Sequence, residues 1–165
     1  MAEVDPLQYA IQLERDGQAF YAEAAANTRN PLGKKMFESL AADERRHEEV
    51  LLALAGNRAD ELVGELPKKR LATLFATLGA QARAELGADA GDTAALEKAL
   101  EMERASIAHY RAQGERAVSE RARALYARLV EEENQHADIL ENCLTYLNKT
   151  GQWYLWEEGA VLDGG

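Results

Sequence analysis

Two stretches of the chain repeat one another, and the residues that they share include polar residues set within apolar helical stripes. Shifting residues 9–52 by 89 positions aligns them with residues 98–141 without a gap. The alignment gives nine identities in 44 positions. The repeated polar and aromatic pairs are Glu14 and Glu103, Tyr21 and Tyr110, Glu44 and Glu133, and His47 and His136. A repeat of this kind predicts two copies of one supersecondary unit.

Each copy of the repeat contains two segments with the hydrophobic period of a helix. Apolar side chains recur at positions i, i+3, i+4 and i+7, which is typical of helices that pack against one another. Asp5 and Asn30 each precede a proline, and this pattern is typical of a capped helix start. Helices are therefore predicted over about residues 6–27, 31–54, 93–114 and 119–147.

The connections between these segments predict their arrangement. Very short loops join the first helix to the second and the third to the fourth, so each pair is expected to be antiparallel. A long connection, about residues 56–91, lies between the two hairpins and is predicted to contain an extra helix after Pro67. Residues 1–150 are thus expected to form one all-α four-helix bundle with a long crossover. The aromatic tail, residues 151–165, is expected to pack on the bundle or on a second subunit.

The repeated glutamates lie in the middle of the apolar stripes. Glu44 has Phe37, Leu40 and Leu51 at positions −7, −4 and +7, and the other three repeated glutamates have similar neighbours at these offsets. A histidine follows three residues after the second glutamate of each copy, at roughly 60° around the helix. Each of the four helices is therefore predicted to direct one glutamate into the core, and two helices also direct a histidine there.

Four carboxylates buried together are very costly unless they are neutralised. Two divalent cations would balance the four negative charges and leave the histidines neutral, as imidazole ligands must be. Carboxylate and imidazole without thiolate suit iron, manganese or zinc. The alternative is a buried polar network without a metal. The predicted metal ligands are Glu14, Glu44, His47, Glu103, Glu133 and His136.

Three further residues have the right chemistry but less suitable positions. Glu101 is close to Glu103, but its helical neighbours are charged, which is typical of a solvated face. His109 lies about 120° from the stripe that contains Glu103, so it is interpreted as structural. Cys143 falls on an apolar stripe and is interpreted as a core residue rather than a reactive thiol.

The formal net charge is −10, from 19 Lys and Arg against 29 Asp and Glu. This charge disfavours nucleic acid and anionic membranes as partners. The short basic clusters, residues 34–35 and 68–70, are interpreted as solvated faces. The N-terminus lacks the pattern of a signal peptide, and a lone cysteine is typical of a reducing compartment. A cytoplasmic protein is therefore expected.

The spacing of these residues resembles that of the ferritin-like di-iron superfamily, and of its rubrerythrin branch in particular. The motifs are Glu44-Arg45-Arg46-His47 and Glu133-Asn134-Gln135-His136, together with Leu13-Glu14-Arg15 and Met102-Glu103-Arg104. The resemblance covers about residues 7–147 and implies a ferritin-like four-helix bundle with two iron ions. It implies that Glu14 with His47, and Glu103 with His136, bind the two ions terminally, and that Glu44 and Glu133 bridge them. Tyr21 and Tyr110 are expected to donate hydrogen bonds to carboxylates of the opposite hairpin.

Two departures from the family affect the expected function. Full-length rubrerythrins have a cysteine-ligated iron domain, which this sequence with Cys143 alone does not contain, so a separate electron-donor protein is expected. Ser106 stands where rubrerythrins have an extra glutamate, which makes the centre more like a symmetric ferritin site. The preferred function is a peroxidase or oxidase that reduces peroxide or O₂, with a homodimer or larger homo-oligomer expected. The alternatives are an Fe(II)-oxidising iron-storage subunit and a metal-stabilised interaction module.

Overall fold

The computed structural model describes residues 4–58, 62, 64–71 and 90–150. The principal helices are α1 (Pro6–Asn27), α2 (Pro31–Ala55), α3 (Ala90–Arg116) and α4 (Glu120–Thr150). Residues 67–71 are also helical, in agreement with the expected start of an extra helix after Pro67. The predicted all-α bundle is confirmed. The aromatic tail and the rest of the crossover lie outside the described residues.

The caps that the sequence predicted hold the starts of α1 and α2. The Asp5 carboxylate accepts a hydrogen bond from the Leu7 amide at 3.0 Å. The Asn30 side chain accepts from the amides of Leu32 and Gly33 at 2.9 and 3.1 Å. These bonds satisfy amides that have no partner within the first helical turn. Ser119 caps α4 in the same way, through the Ala122 amide at 3.1 Å.

The expected start of α3 near Thr93 was three residues too late. The helix begins at Ala90 and includes Asp92 in its first turn, where a negative charge is favoured by the helix dipole. Asp92 therefore lies within the helix rather than before it. Similarly, α4 continues to Thr150 rather than ending at Leu147.

The four helices pack as two hairpins that meet across α1 and α3. Helix α1 packs along α2, and α3 along α4, while α1 also contacts α3. The buried apolar residues form two clusters at different heights in the bundle. One cluster includes Tyr21, Phe37 and Leu40, and the other includes Leu51 and Leu129. Along each helix the predicted ligands fall between residues of the two clusters, so the fold places them in an apolar interior.

Among the described helices, none combines the length and the apolar character that a membrane span requires.

Candidate metal centre

All six predicted ligands lie in the bundle interior, and each side chain comes from the expected helix. None of the six residues is more than 3% exposed. Two groups of four residues have donor atoms that all lie within 4.8 Å of one another, and the two groups share Glu44 and Glu133. The first group adds Glu14 and His47, and the second adds Glu103 and His136. This arrangement could hold two metal ions with two shared carboxylates between them.

The donor atoms directed at the centre of this cluster have no hydrogen-bond partner among the described residues. Buried polar atoms are normally paired, because an unpaired one costs roughly 1–3 kcal/mol. Seven such atoms in one place form a donor set of carboxylate oxygens and imidazole nitrogens that fits divalent metal ions. The unpaired atoms are Glu14 Oε2, Glu44 Oε1, His47 Nδ1, Glu103 Oε2, both carboxylate oxygens of Glu133, and His136 Nδ1.

The two histidines approach the carboxylates closely but are not aligned for hydrogen bonding through the nitrogen that faces the centre. His136 Nδ1 lies 3.0 Å from Glu133 Oε2 and 3.2 Å from Glu44 Oε1. His47 Nδ1 lies 3.4 Å from Glu133 Oε1. Both nitrogens remain without a hydrogen-bond partner. The Nδ1 atoms are therefore the donors that the histidines offer to a metal.

The opposite nitrogen of each histidine contacts a buried carboxylate on the other hairpin. His47 Nε2 lies 2.8 Å from Glu132, and His136 Nε2 lies 2.9 Å from Asp43. A proton held on Nε2 by these carboxylates leaves the Nδ1 lone pair free for the centre. Such carboxylate–histidine contacts orient metal-binding imidazoles and increase their basicity.

Sequence reasoning did not identify Asp43 or Glu132 as part of the site. Both residues are almost fully buried. They occupy equivalent positions in the repeat, each one residue before a predicted bridging glutamate. The sequence did contain a signal, because the two copies of the repeat both have an acidic residue at this position. The signal was missed because an Asp aligned with a Glu is not an identity.

Three arginines surround these two outer carboxylates. Arg46 contacts both Asp43 and Glu132, at 3.4 and 3.2 Å. Arg70 contacts the same Asp43 oxygen as Arg46 does, and Arg128 contacts Glu132 at 3.0 Å. The neighbouring charges and hydrogen bonds outweigh burial and lower the pKa of both carboxyls. Both carboxyl groups are therefore ionised, and each accepts a hydrogen bond from the Nε2–H group of a histidine.

The interpretation of residues 68–70 as a solvated basic face was wrong for two of the three residues. Arg70 pairs with buried Asp43. The Lys68 side chain is only 13% exposed and its ammonium lies 2.8 Å from Asp138. The start of the crossover packs over the histidine side of the centre, where Arg70 compensates the charge of the buried Asp43 carboxylate. Lys69, at 70% exposure, behaves as expected.

Two buried tyrosines connect the hairpins at the centre. The Tyr21 hydroxyl of α1 donates to Glu103 of α3, and the Tyr110 hydroxyl of α3 donates to Glu14 of α1. These are contacts of the kind that the sequence led us to expect. Burial, followed by the negative charges of nearby glutamates, raises the pKa of both phenols well above the ordinary value. Both therefore stay protonated and act as donors.

The two carboxyl groups that both donor groups share, those of Glu44 and Glu133, resist ionisation. Burial and the charges of Glu103 and Glu14 raise the pKa of Glu133 to about 8. Burial and the charge of Glu133 likewise raise the pKa of Glu44 well above its usual value. For the histidines, burial lowers the pKa, but the surrounding carboxylates outweigh it and raise it well above the usual value. The metal-free centre thus stores protons that bound cations would displace.

The other candidates lie outside both donor groups. The Glu101 side chain is 75% exposed and lies 3.6 Å from Lys98, as a solvated residue should. His109 contacts the Pro6 carbonyl at 2.9 Å and the Tyr9 ring. Cys143 is buried, with its thiol 3.6 Å from the Met36 sulfur, and burial raises its pKa to about 12. The thiol is therefore protonated at neutral pH and packs as part of the apolar core.

A protein-family model described as rubrerythrin matches residues 5–144. The chain belongs to the rubrerythrin family. The match spans both hairpins and includes all six clustered residues, the two tyrosines and the outer carboxylates. No curated protein and no solved structure gives a significant match to the chain.

Proposed function

We propose that the cluster binds two iron ions and that the protein is an oxidoreductase that reduces peroxide or O₂ with electrons from a separate donor protein. The observation that carries the proposal is the set of seven unpaired, buried donor atoms arranged around two shared carboxylates. Membership of the rubrerythrin family, whose members typically bind iron, favours iron over manganese or zinc.

The two donor groups support a specific assignment of ligands. Glu14 and His47 would bind one ion, Glu103 and His136 the other, and Glu44 and Glu133 would bridge them. Four ionised glutamates would balance two divalent ions, so the inner shell would carry no net charge. The outer carboxylates need no metal because arginines already compensate them.

Two metal ions held together would supply redox chemistry and polarise an oxygen substrate. The protein's own groups set the conditions for that chemistry. Asp43 and Glu132 hold protons at the histidine Nε2 atoms and keep the Nδ1 atoms aimed inward. Tyr21 and Tyr110 fix one oxygen of Glu103 and Glu14 and leave the other oxygen available. The apolar clusters on both sides limit the access of water.

Anaerobic loading with Fe(II), elemental analysis and stopped-flow mixing with peroxide or O₂ test this proposal. We expect about two irons per chain and rapid formation of a ferric absorption band, followed by turnover when a reductant is supplied. Fewer than one iron per chain would contradict the ligand assignment. Two irons without a reaction towards either oxidant would contradict the enzyme and favour a metal-stabilised interaction module.

Histidine substitutions supply a matched control. His136→Ala removes a donor of one group, so we expect it to lower the iron content. His109→Ala removes a histidine on the same hairpin that lies outside both donor groups and contacts the Pro6 carbonyl and the rings of Tyr9 and Tyr110, and it should leave iron content unchanged. Equal iron content in both variants would contradict the assignment of His136.

A second candidate is an Fe(II)-oxidising iron-storage subunit. It is favoured by Ser106, which leaves no fifth carboxylate one turn after Glu103, and by the net charge of −10, which attracts cations. The two functions differ in the fate of iron. Many Fe(II) equivalents oxidised per chain and retained in a cage-sized assembly would favour storage, whereas catalytic peroxide consumption by a small oligomer would favour the enzyme.

A further inference from the structure

A cavity of about 200 Å³ lies between α1 and α3 and adjoins the centre. Exposed Lys98 and Glu101 lie on its outer part, and buried Glu44 and Glu103 lie on its inner part. Each of these two inner glutamates has a carboxylate oxygen without a hydrogen-bond partner in the described chain. The cavity therefore extends from the surface to two glutamates of the candidate centre.

Two small residues face the cavity from its opposite helices. Gly17 lies on α1 and Ser106 on α3, and they occupy equivalent positions in the repeat. Glycine within a helix costs about 1 kcal/mol relative to alanine, so its presence in the middle of α1 needs a reason. A Cβ at Gly17 would lie only 2.6 Å from Glu44 Oε2. Gly17 thus provides the space that the Glu44 carboxylate occupies at the cavity wall.

We propose that this cavity is the port through which a small external ligand reaches the metal pair, and that Gly17 and Ser106 determine its width. The proposal rests on the proposed function because it requires bound metal ions. The ligand class is a small neutral or singly charged molecule with an oxygen or nitrogen donor, such as a peroxide or a short carboxylate. A cavity of about 200 Å³ is large enough to admit a ligand of this class.

The lining of the cavity agrees with a ligand of this size and charge. Leu13, Met102 and Ala105 supply apolar wall, which favours a molecule that carries little charge. Four carboxyl groups line the cavity beside the ammonium of Lys98, namely those of Asp16, Glu44, Glu101 and Glu103. This balance disfavours ligands with several negative charges.

Azide binding to the iron-loaded, oxidised protein tests the port, because azide coordination produces an absorption band that is independent of turnover. We would compare the wild type with Gly17→Ala, which narrows the α1 wall, and Ser106→Leu, which fills the cavity from α3. Gly114→Ala is the matched control. It makes the same change in a helix, but its new Cβ meets only the Tyr126 Cβ at 3.4 Å.

We expect azide to associate at least ten-fold more slowly with Gly17→Ala and Ser106→Leu, whereas Gly114→Ala should bind like the wild type. Ser106→Leu is the decisive variant, since Gly17→Ala also displaces the Glu44 carboxylate. Wild-type association rates in Ser106→Leu at full iron content would overturn the port, as would a wild-type protein with two irons that binds no azide. Variant-sensitive azide binding without peroxide turnover would uphold the port and refute the proposed enzyme. A wild type that binds no metal pair would overturn both proposals.

Discussion

Removal of the metal should make the stability of the protein fall as the pH rises, and the buried Glu133 sets the scale of this effect. Its pKa is about 8 in the folded, metal-free chain against an ordinary value of 4.5. Between these pH values the folded chain holds a proton that the unfolded chain has lost. The free energy of unfolding therefore decreases with pH, by about 1.4 kcal/mol per pH unit for one proton.

The neighbouring groups act in the same direction over this range. Glu44, His47 and His136 also have raised pKa values in the folded chain. The histidine contribution is fully present below the unfolded value of 6.5 and is lost as the pH rises through the folded value. Groups with lowered pKa values, such as Asp43, contribute above their ordinary value of 3.8 and lose that contribution only in more acidic solution. They should not alter the slope above pH 5.

For one proton, the metal-free protein should lose roughly 3 kcal/mol of stability between pH 5.5 and pH 8. At about 2–4 °C per kcal/mol for a chain of this size, its melting temperature should fall by about 10 °C. Bound metal ions would replace the stored protons, so the metal-loaded protein should not show this decrease. Urea titrations and thermal melts of both forms, at four pH values from 5.5 to 8, would measure the difference.

Glu133→Gln should reduce the metal-free slope by about one proton equivalent, because glutamine cannot titrate. Glu101→Gln removes a carboxyl of the exposed surface and should leave the slope unchanged. A metal-free protein whose stability is constant or rises from pH 5.5 to 8 would refute the reasoning. So would an equal decrease in the metal-loaded form.

Three further outcomes follow from the contacts around the centre. Asp43→Asn should weaken binding of one metal ion about ten- to hundred-fold through loss of His136 orientation; calorimetric titration showing no loss, or an equal loss for both ions, would contradict this. Tyr21→Phe and Tyr110→Phe should each change peroxide or O₂ turnover while elemental analysis finds the metal content intact, and unchanged kinetics in both would rule out the role. Leu129→Ala, at a fully buried position, should destabilise the protein by about 2–5 kcal/mol in urea titration, and a loss below 1 kcal/mol would mean that the core collapses around the cavity.

The sequence predicted the inner part of the centre because its residues follow the helical period. Glu44 lies on the same stripe as Leu40 and Leu51, so their burial implies its burial. Because Glu133 of α4 is equivalent to Glu44 in the repeat, its burial could be predicted in the same way. The helix starts at Asp5 and Asn30 were equally predictable, because a capping residue and the proline after it act on the backbone of the adjacent helical turn. These features depend on neighbours in sequence.

The outer carboxylates of the centre, those of Asp43 and Glu132, were not predictable in this way. Asp43 lies about 100° around the helix from Glu44, so the period places it beside the stripe rather than on it. Its burial depends on contacts that are distant in sequence, namely with His136 of α4 and Arg70 of the crossover. The Asp43 contact also explains why Arg70 was wrongly interpreted as part of a solvated face. The hydrophobic period of a helix does not indicate which distant segment covers the edge of its apolar stripe.

The repeat explains why the two outer contacts come as a pair. Each hairpin supplies a histidine and, four residues earlier, the carboxylate that contacts the histidine of the other hairpin. Neither hairpin alone can orient its own histidine, and neither can supply both groups of donors, since Glu44 and Glu133 belong to both. The outer carboxylates can remain ionised in the interior because Arg46 lies between them and contacts both. Docking of the two hairpins is therefore the step that builds the centre, and the isolated hairpins should not bind metal at the affinity of the intact chain.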